Sequence, residues 1–154
     1  GGFNDAEFGQ AAKFYHFVKT ELMPLIEKKI PMQKTKVFIG HSFGGLLALY
    51  FSLKENRLFD QYYAISPSVW ANYNELLKIE ENYNNKKTSY NATVYLYAGS
   101  LEVFNKVLSS TTIFYKTIIK RKYQGLSISY KEISWANHYG TVEKVVPGIF
   151  LKLK

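Results

Sequence analysis

A serine, a carboxylate and a histidine occur in an order that acyl-transfer chemistry can use: Ser42, Glu102 and His138. A serine hydroxyl is a poor nucleophile at neutral pH and needs a base to take its proton, most often a histidine held by an acid. Ser42 stands in Gly40-His41-Ser42-Phe43-Gly44, the G-x-S-x-G spacing of a sharp strand-to-helix turn that lifts the hydroxyl clear of a sheet. Glycines two residues either side read as permitting a turn that a Cβ would obstruct. The pattern is short, and the plain alternative is a glycine-rich turn that merely joins strand to helix. The flanks favour chemistry. An apolar, β-rich run, Val37-Phe38-Ile39, leads in, and a run with Gly45 and Ala48, small enough for close helix-to-sheet contact, leads out. A helix beginning at the serine would aim its unpaired N–H groups at whatever the serine attacks.

His138 is the candidate base, because Trp135-Ala136-Asn137-His138-Tyr139-Gly140 reads as a polar loop beyond a strand; the alternative is a loop histidine without a role. Glu102 leaves the third strand through Gly99-Ser100-Leu101. It is either the acid or a solvated first-turn glutamate stabilised by its helix N-terminus. Glu132 competes for the role, but inside an alternating strand it should point away from the loop end. His41 reads as an orienting or packing residue, since its side chain leaves the elbow in another direction. His16 reads as a surface or packing histidine, with no second metal-type residue at useful spacing. Cysteine is absent, which excludes disulfides and thiolate metal sites, and neither a metal nor a cofactor is expected. Trp70, in Ser66-Pro67-Ser68-Val69-Trp70, falls at a strand's C-terminal end, where open α/β sheets bind ligands. It could wall a binding pocket or be an ordinary partly buried aromatic.

The elements that must position these residues alternate. Residues 7–30 have a helical stripe of Phe8, Ala11, Ala12, Tyr15, Val18, Leu22 and Ile26, with Asp5 as N-cap, Pro31 as stop and a kink or break at Pro24. The elbow strand and a helix over 44–53 follow; residues 56–60 return the chain to a strand over 61–66. A short helix over 75–81, a loop over 82–89 and a strand over 93–98 come next. Residues 103–123 read as a helix stopped near Gly125, with Thr111-Thr112-Ile113 weakening its first half. A strand over 126–134 and a helix over 142–153, broken or bent at Pro147-Gly148, complete the chain. Strands separated by helices argue for parallel β-α-β units with right-handed crossovers, an α/β sheet flanked by helices. Ser42, Glu102 and His138 would then share one end of that sheet.

With 154 residues and 47% hydrophobic content, the chain is at most one domain with a sizeable core. No run is long and apolar enough to span a bilayer, and the first residues lack a signal-peptide pattern; the chain as given reads as soluble, with no membrane partner and its compartment open. The net charge of +8 raises a nucleic-acid partner, but the lysines are scattered and only Lys120-Arg121-Lys122 clusters, near a helix end. A solvated basic surface is the better reading, and no nucleic acid is expected. A mild positive field would suit an anionic small substrate. Asn91-Ala92-Thr93 is a glycosylation sequon, but it enters a strand.

Taken together, Gly40-His41-Ser42-Phe43-Gly44-Gly45, Ile65-Ser66-Pro67-Ser68-Val69-Trp70, Tyr95-Leu96-Tyr97-Ala98-Gly99-Ser100-Leu101-Glu102 and Asn137-His138-Tyr139-Gly140-Thr141 resemble the Putative esterase (esterase D-like) family of α/β-hydrolases, in its siderophore-esterase-like branch. The segment Phe17-Val18-Lys19-Thr20-Glu21-Leu22-Met23-Pro24-Leu25-Ile26 resembles the family's helix ahead of the elbow. The resemblance implies a serine hydrolase of carboxylic esters, with Ser42 as nucleophile, His138 as base, Glu102 as acid and the Phe43 backbone N–H as one oxyanion donor. Its substrate would be a small-molecule ester, aromatic or anionic. The family's domain has several strands before the elbow helix, one followed by the loop with the second oxyanion N–H. This chain is therefore expected to be a single domain over 1–154, the C-terminal portion of a hydrolase fold lacking its N-terminal strands. Its exposed edge at Val37, Phe38 and Ile39 is expected to pair copies into a dimer or to be covered in a longer chain. The alternative is a non-catalytic binding or accessory domain that keeps the fold.

Overall fold

Four apolar runs form strands: β1 (Val37–His41), β2 (Gln61–Ile65), β3 (Thr93–Gly99) and β4 (Ser127–Ile133). They pair in parallel in the order β1-β2-β3-β4. The computed structural model describes residues 10–30, 35–54, 57–71, 73–86 and 89–153. One helix links each neighbouring pair of strands: α3 (Phe43–Ser52), α4 (Tyr73–Lys86) and α5 (Val107–Arg121); α6 (His138–Lys152) follows β4. The register sets His41 beside Ile65, Ile65 beside Tyr97, and Gly99 beside Ile133. β1 and β2 thus end level with each other, β3 and β4 run two residues further, and the loops leaving all four lie on one side of the sheet.

Side chains alternate between the two faces of a strand, so each face has its own core. On one face Phe38, Tyr62, Ala64, Val94 and Leu96 pack with Leu49 and Phe51 of α3, Leu76 of α4, and Phe114 and Ile118 of α5. On the other, Tyr63 and Ile65 pack with Val145 and Ile149 of α6, flanked by Ile39, Tyr95 and Tyr97. Tyr63 and Tyr95 stack there with ring centroids 4.4 Å apart. Covered on both faces, β2 reads as the continuous apolar run Tyr62-Tyr63-Ala64-Ile65, all buried. β4, an edge strand, is exposed at Ser127, Ser129, Lys131 and Glu132. Among the described residues β1 is the opposite edge.

The helix before β1 shows how a local rule shapes a boundary. In place of one kinked helix there are α1 (Ala11–Phe17), a π-helical stretch (Val18–Leu22) and α2 (Met23–Lys29), with Pro24 in the first turn of α2. Proline has no N–H to donate and its ring crowds the carbonyl four residues back; the wider π turn accommodates both. Ala11, Val18 and Met23 are buried, and Tyr15 meets Phe51 of α3 edge-on, with ring centroids 5.0 Å apart. Asp5, Glu7, Phe8, Pro31 and Asn56, used above to place helix ends and a return loop, lie outside the described residues.

Three further boundaries differ from expectation. α4 continues beyond residue 81, where Tyr83 packs against the core and its hydroxyl donates to the Ser89 carbonyl, contacts that outweigh the weak helix propensity of the asparagines. α5 begins at Val107, not at residue 103, because the chain after Glu102 first turns, with Glu102 N donating to the Gly99 carbonyl. The β-branched run inside α5 stays helical, with Thr111 and Phe114 buried. α6 begins at His138 and runs through Pro147 without a break.

Candidate active site

The turn between β1 and α3 is held open by Ser42 itself, whose φ of 57° and ψ of −117° lie outside the regions that side chains ordinarily occupy. Three backbone hydrogen bonds hold this conformation: Ser42 N donates to Ile65 O (3.0 Å), while Ser68 N and Leu46 N donate to Ser42 O (each 3.0 Å). The two motif glycines are not equivalent. A Cβ on Gly40 would lie 2.0 Å from the Gly44 carbonyl oxygen, whereas one on Gly44 would meet nothing within 4 Å. Only the first glycine is sterically required. Gly45 is also close-packed, its Cβ position 3.0 Å from Pro67 Cα, so the helix lies tight against the end of β2.

Glu102 and His138 come together although 36 residues separate them. The Glu102 side chain is buried, and its Oε1 is 2.6 Å from His138 Nδ1. Its other oxygen, Oε2, accepts from the Gly99 backbone N–H at 2.6 Å and from Ser66 Oγ at 2.7 Å, with Thr141 Oγ1 at 3.5 Å. A carboxylate acceptor places the imidazole N–H on Nδ1 and leaves Nε2 with a lone pair. The solvated alternative for Glu102 is ruled out by this burial. Glu132 is exposed on β4, opposite Ala98, and does not join the cluster.

Local geometry brings His138 to this point. Ser100 N donates to Ile133 O and Leu101 N to Ala136 O, each at 3.0 Å, stitching the loop after β3 to the loop after β4. Gly99 permits that approach, since a Cβ there would be 2.2 Å from the Ala136 carbonyl oxygen. Asn137 then caps α6 by accepting from Gly140 N at 2.9 Å, so His138 opens a helix where a loop was expected.

His41 packs against this arrangement from the elbow side. Its ring centroid is 4.4 Å from that of His138, and its Nε2–H donates to the His138 backbone carbonyl at 3.0 Å. Burial, and next the neighbouring His138, hold its pKa below the usual histidine value, which suits a neutral ring donating from Nε2. Ser42 Oγ is 3.1 Å from Ser68 Oγ. Phe43 opens α3 with its ring exposed, so its N–H belongs to the helix's first-turn donors. Trp70 lies two residues beyond Ser68 and is 43% exposed, which places it on the rim rather than in a closed wall. Trp135, Leu101 and Phe104 are exposed on the loops of the same end, and Tyr139 is exposed in the first turn of α6.

Ser66, Ser68 and Gly99 had no role in the sequence reading. Their signal was a Ser-Pro-Ser at a strand end and a glycine at a strand terminus, neither of which reveals its partner. No group of three or more histidine, aspartate or glutamate side chains suited to a metal occurs among the described residues. Among them, too, no helix is long and apolar enough to cross a membrane.

The Esterase family model, described as "Putative esterase", matches residues 3–135. The chain belongs to this family. Its matched span contains Ser42 and Glu102, and His138 follows three residues after its end. Among curated relatives, this esterase-family chain is 30% identical over 145 residues to the ferri-bacillibactin esterase BesA of Bacillus subtilis (strain 168), an alignment covering 91% of this chain and 50% of the relative. Over 67 residues it is 36% identical to the siderophore triacetylfusarinine C esterase of Aspergillus fumigatus, covering 42% of this chain and 23% of that one. The crystal structure of the BES protein from Bacillus cereus superposes with a TM-score of 0.76 at 29% identity, covering 91% of this chain and 54% of that chain. The parallel sheet and its helices are those of an α/β-hydrolase. The chain spans about half the length of the first of these relatives.

Proposed function

We propose that this chain carries the reacting groups of a serine esterase, with Ser42 as nucleophile, His138 as base and Glu102 as acid. The observation that carries the reading is the 2.6 Å contact between His138 Nδ1 and the buried Glu102 carboxylate, set at the same sheet end as a serine in an elbow turn. For attack, the Ser42 hydroxyl, which lies 3.1 Å from Ser68 Oγ, would have to turn from Ser68 to His138 Nε2. As Oγ bonds to the ester carbonyl carbon, Nε2 takes the hydroxyl proton, and Glu102 stabilises the imidazolium that forms. The Phe43 N–H, one of the first-turn donors of α3, would receive the carbonyl oxygen as it gains negative charge. His138 then returns the proton to the leaving alkoxide, giving an alcohol and an acyl group on Ser42. Water attacks the acyl-enzyme with His138 again as base, releasing a carboxylic acid and restoring the serine.

The substrate class follows from relatives named for siderophore esters, in keeping with the exposed aromatic rim at Phe43, Trp70 and Tyr139 and the net charge of +8. An aromatic or anionic ester fits both. The test is a fluorophosphonate probe with mass-spectrometric mapping, run beside hydrolysis of p-nitrophenyl acetate. Ser42 is the expected labelled residue, and Ser42→Ala should abolish both labelling and the acyl-enzyme burst. Unchanged hydrolysis by Ser42→Ala would refute the proposal. Binding of a ferric siderophore without labelling or turnover would point to an accessory domain.

A further inference from the structure

Beside Ser42, a second residue at the sheet end has an unusual backbone: Ser66. It is fully buried, has a φ of +44° without being glycine, and precedes Pro67. Side chains rarely occupy that region, and a following proline restricts the backbone further. Such strain persists where the surroundings over-determine it and is found at functional sites. Here two contacts determine it: Ser66 N donates to Tyr97 O at 2.7 Å, and Ser66 Oγ donates to Glu102 Oε2 at 2.7 Å.

We propose that Ser66 is a positioning residue of the esterase site, holding the Glu102 carboxylate so that its other oxygen meets His138; this rests on the Ser42–His138–Glu102 reading above. A buried carboxylate can rotate about its last side-chain bond, and rotation would carry Oε1 away from the imidazole. Two donors on Oε2 oppose it. One is the Gly99 amide, fixed by the backbone, and the other is Ser66 Oγ. Thr141 Oγ1, at 3.5 Å from Oε2, has a single proton and lies 2.8 Å from the Asn137 carbonyl, so it is committed elsewhere. Ser66 is therefore the side chain that orients the acid. Its positive φ accompanies a hydroxyl that reaches Glu102 on the loop after β3.

Ser66→Ala removes the hydroxyl and keeps the strain, while Ser66→Gly removes the hydroxyl and relieves the strain. Steady-state hydrolysis of p-nitrophenyl acetate by the protein and both variants, with thermal melts alongside, separates the two contributions. Loss of a hydrogen bond to a charged group should lower kcat by about tenfold to a hundredfold in both variants, with KM nearly unchanged. Ser66→Gly should melt no lower than Ser66→Ala, which keeps the experiment readable if the alanine variant folds poorly. Parent-like kcat in either variant, or a loss seen as raised KM alone, overturns the proposal. Ser42→Ala, run in parallel, tells that failure from failure of the triad itself: activity that survives it sinks the triad, whatever Ser66 does.

Discussion

At the scale of single residues, the elbow separates a steric requirement from a coincidence of spacing. G-x-S-x-G treats its glycines alike, yet a Cβ would strike backbone at Gly40 and meet open space at Gly44. Gly40→Ala should therefore cost about 3 kcal/mol or more of stability, since the clash is with main chain that cannot rotate away. Gly44→Ala, inside the first turn of α3, should be neutral or stabilising by up to about 1 kcal/mol. Urea denaturation of the two variants measures both, and similar losses would show that the turn tolerates neither. Ser42, Glu102 and His138 could be picked out as candidates in the sequence because the motif is local and the chain order familiar. Ser66, Ser68 and Gly99 could not, because each matters through an approach between segments distant in the chain.

At the scale of elements, the strands were legible and the helix ends were not. Apolar runs such as Tyr62-Tyr63-Ala64-Ile65 announce themselves, whereas α4 is also held by a partner more than forty residues away. Glu80 of α4, fully buried, accepts from Arg121 Nε and Nη2 at 3.0 and 3.1 Å and from the Tyr123 hydroxyl at 2.7 Å. The hydrogen bond to Glu80 raises the Arg121 pKa, and burial, followed by that same carboxylate, raises that of Tyr123. This fork also explains part of the one compact basic cluster: Arg121 serves the fold rather than a polyanion. Glu80→Ala would leave a guanidinium and a phenol without their acceptor. It should cost about 3 kcal/mol, the low end for a buried pair because Arg121 keeps some contact with water. Chemical denaturation reads the loss; a change below about 1 kcal/mol would mean that α4 is held by Leu76 and Ile79 alone.

At the scale of the whole molecule, the interior is unusually phenolic, and that sets a pH limit. Burial pushes Tyr62 and Tyr63 up to about 12 and raises Tyr90, which donates to Ser52 Oγ, as well. In the unfolded chain these phenols ionise near pH 10. A folded pKa above the unfolded one means that the stability is fully present below about pH 10 and is lost as pH rises through the folded values. The Tyr62 hydroxyl is buried with the Phe59 backbone beside it, but makes no well-formed hydrogen bond among the described residues. Tyr62→Phe should therefore leave the protein as stable at pH 7 or about 1 kcal/mol more so, and should flatten the loss above pH 10. Melting curves across that range decide it: equal alkaline slopes in parent and variant would show that Tyr62 is not one of the groups responsible.

The sheet order β1-β2-β3-β4 has a consequence in time. Each strand lies beside its predecessor, joined by one crossover, so the sheet can grow by adding successive units without long loops closing first. The site cannot grow that way. Ser42 leaves β1, Ser66 leaves β2, Glu102 leaves β3 and His138 leaves β4, so the contact between Glu102 and His138 exists only after the last strand has docked in register. On the proposed reading of the site, reactivity at Ser42 would therefore report that all four strands have assembled.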